Sequence, residues 1–226
     1  MKYLRRFEAT EDVAMGAIPN VVLVGDTGAV VYNAPIVGVY IQHINGKLYT
    51  TDEWASKGFD NEQANGVAVG DVVDGTAVSF VIAKTYFDKM PWSSDTAAVS
   101  GIMSTSNLAT AKTDYAGAAN TELMLASDTS GAAYTCANFI FPNGKKGYLP
   151  AFGEWCVVYS LRARINSALS LIGGQTFDYS TGSVGNFWSS TQYPSSKAWA
   201  MKLYSGDGLY YDKSKSAYLV RPFCTL

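Results

Sequence analysis

The sequence predicts an α+β fold, with two helices between β-rich ends and a short N-terminal β arm before them. Three observations predict it. Runs rich in β-branched and aromatic residues, split by Gly-containing turns, fill the early and late parts of the 226-residue chain. Helical apolar spacing is confined to the middle. Only 16% of residues are charged and 21 are glycine, a mix that suits a turn-rich globular chain and not a coiled coil or a disordered one.

The length suits one large domain with an appendage. Residues 1–36 read as an arm for docking or oligomerisation, and residues 37–226 as the main domain. In the arm, two β-rich runs at 21–24 and 29–32 flank the turn Gly25-Asp26-Thr27-Gly28. A lone hairpin is marginal in water, so this one needs a surface to pack on. A strand over 37–44 meets Asn45-Gly46, a two-residue hairpin signal, and returns over 47–50. Thr51-Asp52-Glu53-Trp54 starts a short helix. A second strand pair is expected at 67–73 and 77–83.

Residues 84–108 read as polar and turn-like. The Ala-rich run 109–127 predicts a first helix, weakened at Gly117. The second helix follows Pro150. Trp155, Val158, Tyr159, Ile165, Ala168, Leu169 and Ile172 recur at helical spacing, with a gap over Arg162 and Arg164 that is a candidate break. Gly173-Gly174 ends it. Strands are then expected at 198–204, 209–212 and 218–223, so that both ends of the domain meet in one sheet.

Composition excludes several function classes. A formal net charge of −2 offers no basic field for nucleic acid or an anionic membrane. Met1-Lys-Tyr-Leu-Arg-Arg-Phe is not followed by the apolar core of a secretory signal, and no apolar run approaches the ~20 residues of a membrane span. Synthesis in the cytoplasm is therefore expected. Cys136, Cys156 and Cys224 are odd in number and lack CxxC spacing, so they read as buried structural thiols. His43, the only histidine, has no catalytic partner nearby in sequence. Asp71, Asp74 and Asp88 lack EF-hand spacing. No metal, cofactor or catalytic residue is expected.

Residues 186–226 hold five of the 15 tyrosines. Tyr and Ser serve binding surfaces that need rigid contact area and adaptable hydrogen bonds. Alternation puts Trp199, Met201 and Leu203 on one side of a strand, and Ala200, Lys202 and Tyr204 on the other. With Trp188 and Val220, the apolar set reads as core. Tyr193, Ser195, Ser196, Lys197, Lys202, Tyr204, Asp207, Tyr210, Tyr211 and Asp212 are the ligand-binding candidates, against the alternative of an ordinary solvated face. Alternation with Leu209 turns Tyr211 inward. Arg221 reads as a structural guanidinium that ties loop carbonyls together.

Three pieces carry a resemblance: Lys145-Lys-Gly-Tyr-Leu-Pro-Ala-Phe-Gly-Glu-Trp, then Phe187-Trp-Ser-Ser-Thr-Gln with Ala198-Trp-Ala-Met-Lys-Leu-Tyr-Ser-Gly, then Val220-Arg-Pro-Phe. From about residue 134 to the end, the chain resembles the bacterial and phage C-type-lectin-like domains of the DUF1566 (Lcl C-terminal) type. The Leu48-Tyr-Thr-Thr-Asp-Glu-Trp piece extends the likeness back to about residue 37. It departs at Ala151, where the pattern has a helix-capping Thr. The arm is similar to N-terminal segments of phage and prophage structural proteins. The resemblance implies a C-type-lectin-like fold, with a mixed, mainly antiparallel sheet and two helices, and a recognition function, as in phage receptor-binding proteins and the variable proteins of diversity-generating retroelements. It implies a protein or glycan ligand on a bacterial surface. The arm would contact a virion or sister subunits, with a homotrimer among the assemblies that fit. The calcium-binding Glu-Pro-Asn tripeptide of animal C-type lectins is absent. A formylglycine-generating enzyme, on a related fold, and a purely structural virion domain are the alternatives.

Overall fold

Turn chemistry sets the first sheet. The computed structural model describes residues 21–24, 29–32, 35–180, 185–194 and 196–226. Strands β1 (Val21–Val24) and β2 (Ala29–Tyr32) pair antiparallel with each other, while residues 1–20, 25–28, 33 and 34 of the expected arm lie outside the described residues. Strand β3 (Gly38–His43) turns at Gly46, φ 85°, into β4 (Leu48–Tyr49). Strand β5 (Ala64–Val73) turns through Asp74 and Gly75, φ 48° and 80°, into β6 (Thr76–Ile82). Two consecutive positive φ values match the right-handed twist of the flanking strands. Between these hairpins lies α1 (Thr51–Lys57), closed by a Thr50–Glu53 capping box.

The second sheet has the order β10-β9-β8-β11-β7 and is mostly antiparallel, with one parallel pair, β8 with β11. Its strands are β7 (Phe87–Met90), β8 (Asn186–Tyr193), β9 (Lys197–Lys202), β10 (Asp207–Asp212) and β11 (Tyr218–Val220). The first sheet runs β12-β6-β5-β3-β4, with β12 (Phe223–Cys224) at its edge, so both ends of the main domain do enter one sheet.

Residues 84–127 differ from the sequence expectation. Strand β7 lies in the segment read as turn-like, because its pairing partner, β11, is remote in sequence. The expected first helix is two, α2 (Leu108–Ala111) and α3 (Gly117–Ser127), followed by an unexpected α4 (Gly131–Asn138). Gly117 starts α3 where a Cβ would strike the Glu154 carboxylate. The helix after Pro150, α5 (Phe152–Leu171), runs unbroken past Arg162 and Arg164. The described residues form a mixed α+β fold with five α-helices, where the sequence predicts two and a short helical start at Thr51.

Helix α5 packs against β3 and β5 of one sheet and β8 and β9 of the other. Ile41, Val67, Val69 and Phe80 join Trp155, Val158 and Ile165, and Phe187, Trp199 and Met201, in one core. Burial of these side chains is the main stabilising contribution. The far face of the second sheet is also covered. Trp188, Ala198, Ala200 and Val220 pack with Trp92, Met124, Ala133 and Leu149.

The expected last strand is broken. At Arg221-Pro222 the chain leaves the second sheet and enters the first as β12. Pro222 has no N–H to give a ladder. Arg221 is fully buried, and its Nε and one terminal nitrogen donate to the Ala83 carbonyl at 2.9 and 2.8 Å, with a further bond to Lys84 O at 3.0 Å. Its other terminal nitrogen has no hydrogen-bond acceptor among the described residues; the guanidinium lies 4.5 Å from the Phe177 ring centroid.

Candidate functional site

The edge hairpin of the second sheet positions most of the candidate residues. Register sets Tyr210 opposite Trp199, and Asp212 opposite Lys197, which in turn faces Tyr193. Tyr193 and Tyr210 stack with centroids 4.0 Å apart and planes at 20°. Both rings meet buried Trp199 edge-on, at 5.2 and 5.7 Å. Trp199 is fixed in turn by a 2.8 Å bond from Nε1 to the Thr105 carbonyl. Lys197 Nζ lies 5.2 Å from the Tyr210 centroid. Tyr210 is nonetheless 45% exposed. The result is an edge aromatic cluster with Tyr210 outermost, partly buried Tyr193 beside it, Lys197 over the Tyr210 ring and Asp212 opposite Lys197.

The ten candidates do not share one face. Tyr193, Lys197, Tyr210 and Asp212 lie on the Trp199 side, with Ser196 in the adjoining turn and Ser195 outside the described residues. Lys202 and Asp207 face each other on the opposite side of the sheet. Tyr204, 51% exposed, follows β9 in the turn, with Lys202 Nζ 5.9 Å from its ring. Tyr211 is not inward: it is 48% exposed and meets Tyr218 edge-on at 6.1 Å, while Leu209 alone packs on the core beneath. Asp212 also serves its own turn, accepting from the Ser214 amide and hydroxyl at 3.2 and 3.1 Å.

Trp188, Trp199, Met201, Leu203 and Val220 are all buried, as expected. They divide between the two cores: Trp199, Met201 and Leu203 face α5, while Trp188 and Val220 face the other way. Buried polar residues were invisible to the alternation argument. Lys213, in the turn after β10, is fully buried. Its Nζ donates to Ala97 O at 2.7 Å and Gln192 Oε1 at 2.8 Å and lies 4.6 Å from the Trp92 ring. Burial lowers this ammonium to about 8.

A second buried polar group underlies α5. The Glu154 carboxylate accepts from the Ala151 amide at 2.7 Å and the Tyr148 hydroxyl at 2.8 Å. Burial, reinforced by the nearby Asp114 charge, raises its carboxyl to about 8 against the opposing pull of these bonds. Asp114 accepts from the Ala116 amide, Asn120 Nδ2 and Thr191 Oγ1. Tyr148 also lines a cleft of about 490 Å³ with Thr121, Glu122, Tyr134 and Lys146.

Comparison of the chain with protein-family models, curated proteins and solved structures finds no match.

Among the described residues no group of three or more His, Cys, Asp and Glu is placed to hold a metal ion, and no helix is long and apolar enough to cross a membrane. His43 is buried among Tyr49, Trp54 and Phe59, and its Nδ1 accepts from the Asn45 amide at 3.1 Å. Burial pushes the Cys136 thiol well up, Cys156 to about 11 and Cys224 to about 12.

Proposed function

We propose that this chain is a non-enzymatic recognition protein whose C-type-lectin-like domain presents the β9–β10 hairpin to a protein or glycan ligand on a bacterial surface. The carrying observation is the stacked Tyr193–Tyr210 pair with Lys197 above it and buried Trp199 beneath it. Exposed rings held in place before binding lose little entropy on contact, which is what an affinity surface needs. The sheet that carries them is packed on both faces, so the displayed side chains can differ without disturbing the core. That separation supports the likeness to phage and prophage adhesins with a hypervariable face. The arm would join the domain to a virion or to sister subunits.

The raised thiols support this reading over a formylglycine-generating enzyme, whose chemistry needs a reactive thiolate. The test is a panel of bacterial cells and envelope glycans probed with the full chain and with Tyr210→Ala. Binding by the parent that the variant loses supports the proposal. Binding that is the same for both overturns the site.

A further inference from the structure

The geometry points to a second ligand site, on the side of the sheet away from the Tyr193–Tyr210 cluster: a groove for the carboxylate-bearing ring of an acidic saccharide, such as a sialic or uronic acid. A shallow, open groove of about 520 Å³ is lined by Lys89, Tyr211, Lys215, Ser216, Ala217 and Tyr218. Its walls are an aromatic corner. The Tyr211 and Tyr218 rings meet at 68°, and Tyr218 rests edge-on against buried Trp188 at 4.7 Å. Such a corner offers a flat π-face to the C–H side of a pyranose and a second ring at its edge.

The charge at the groove is one-sided. Lys89 comes from β7 and Lys215 from the turn between β10 and β11, and no carboxylate lines the groove. Neither ammonium donates a hydrogen bond to a described residue. Two ammonium groups flanking an aromatic corner complement a ring that carries one negative charge, and they discriminate against its neutral counterpart.

The turn that carries Lys215 is set in advance. Its neighbour Lys213 is anchored by Ala97 O and Gln192 Oε1, the Lys215 amide donates to Asp212 O, and Ala217 N donates back to Lys215 O. The buried lysine therefore holds the exposed one where the groove needs it, so little ordering cost remains at binding.

The site shares the β9–β10 hairpin with the recognition surface proposed above but lies on its other face, through Tyr211 in place of Tyr210, and its test keeps the two apart. Titration of the full chain by saturation-transfer NMR compares 3′-sialyllactose with lactose, and glucuronic acid with glucose. The expected result is acidic-sugar binding with dissociation constants of about 1–10 mM, and neutral sugars at least about fivefold weaker. Lys89→Ala and Lys215→Ala each weaken binding about three- to fivefold, and Tyr211→Ala abolishes it, while Tyr210→Ala leaves it unchanged. Equal response to acidic and neutral sugars, retention of binding in the Lys89→Ala/Lys215→Ala variant, or no acidic sugar bound at about 20 mM overturns the proposal. So does competition by inorganic phosphate at the same concentration, which would make the groove a simple anion patch.

Discussion

The Phe152 amide donates to the Thr191 hydroxyl at 2.9 Å, so the cap of helix α5 comes from strand β8 and not from the residue before the helix. Ala151 has no side-chain oxygen to give, and the other half of the box is intact through Glu154 and the Ala151 amide. Thr191 also donates to Asp114 at 2.8 Å, which ties the helix start to the sheet that carries the tyrosine cluster. Thr191→Val keeps the shape and deletes both bonds. It is expected to cost about 2 kcal/mol in denaturant unfolding. An unchanged midpoint would mean that the cap contributes nothing.

The carboxyl of Glu154 titrates against the fold. Its folded value, about 8, lies above the ordinary 4.5, so the native state holds a proton that the unfolded chain releases. Stability from this group is complete below about pH 4.5 and falls as pH rises towards 8, by up to about 5 kcal/mol. Glu154→Gln is the uncharged isostere: its oxygen accepts from the Ala151 amide, and its nitrogen reverses the Tyr148 bond by donating to Tyr148 Oη. Chemical unfolding from pH 5 to 8.5 should show a declining midpoint in the parent and a flatter profile in the variant. Parallel profiles would remove Glu154 as the source.

Arg221 sits where the chain passes from one sheet to the other, forked onto the carbonyls of Ala83 and Lys84. Arg221→Lys keeps the charge and loses the planar fork, leaving a buried ammonium that cannot reach all three bonds. A loss of about 2–3 kcal/mol is expected in thermal or denaturant unfolding. A variant as stable as the parent would show that Pro222 and the β12 pairing suffice for the crossover.

Some of this was legible in the residues. Asn45-Gly46 gave its hairpin, and apolar spacing after Pro150 gave α5, because both signals are local. Strand β7, Phe-Asp-Lys-Met, carries no local pattern and forms only through β11. Helix α4 is built mainly of small residues with little amphipathic contrast, and it is fixed by packing Ala132, Ala133 and Cys136 under the second sheet. Alternation found which tail residues are apolar core. It could not find the outward face, because Ala198 and Ala200 are as buried as Trp199 and Met201. With both sides covered, display depends on position at the sheet edge, where Tyr210 and Tyr211 point opposite ways and both stay exposed. Lys213 reads as a solvated turn lysine until Trp92 and Gln192 arrive from distant segments.

The proposed function makes the Tyr193–Tyr210 stack a binding surface that rests on the core through Trp199 without being needed to stabilise it. The most direct measurement pairs ligand binding with thermal unfolding for the parent and for Tyr193→Ala/Tyr210→Ala, using whichever bacterial surface the parent binds. At least about a 100-fold loss of affinity is expected for truncating two anchoring rings, with the melting temperature lowered by no more than about 4 °C. Binding that survives the double substitution, or a melting temperature that falls by much more than this, would contradict the proposed function.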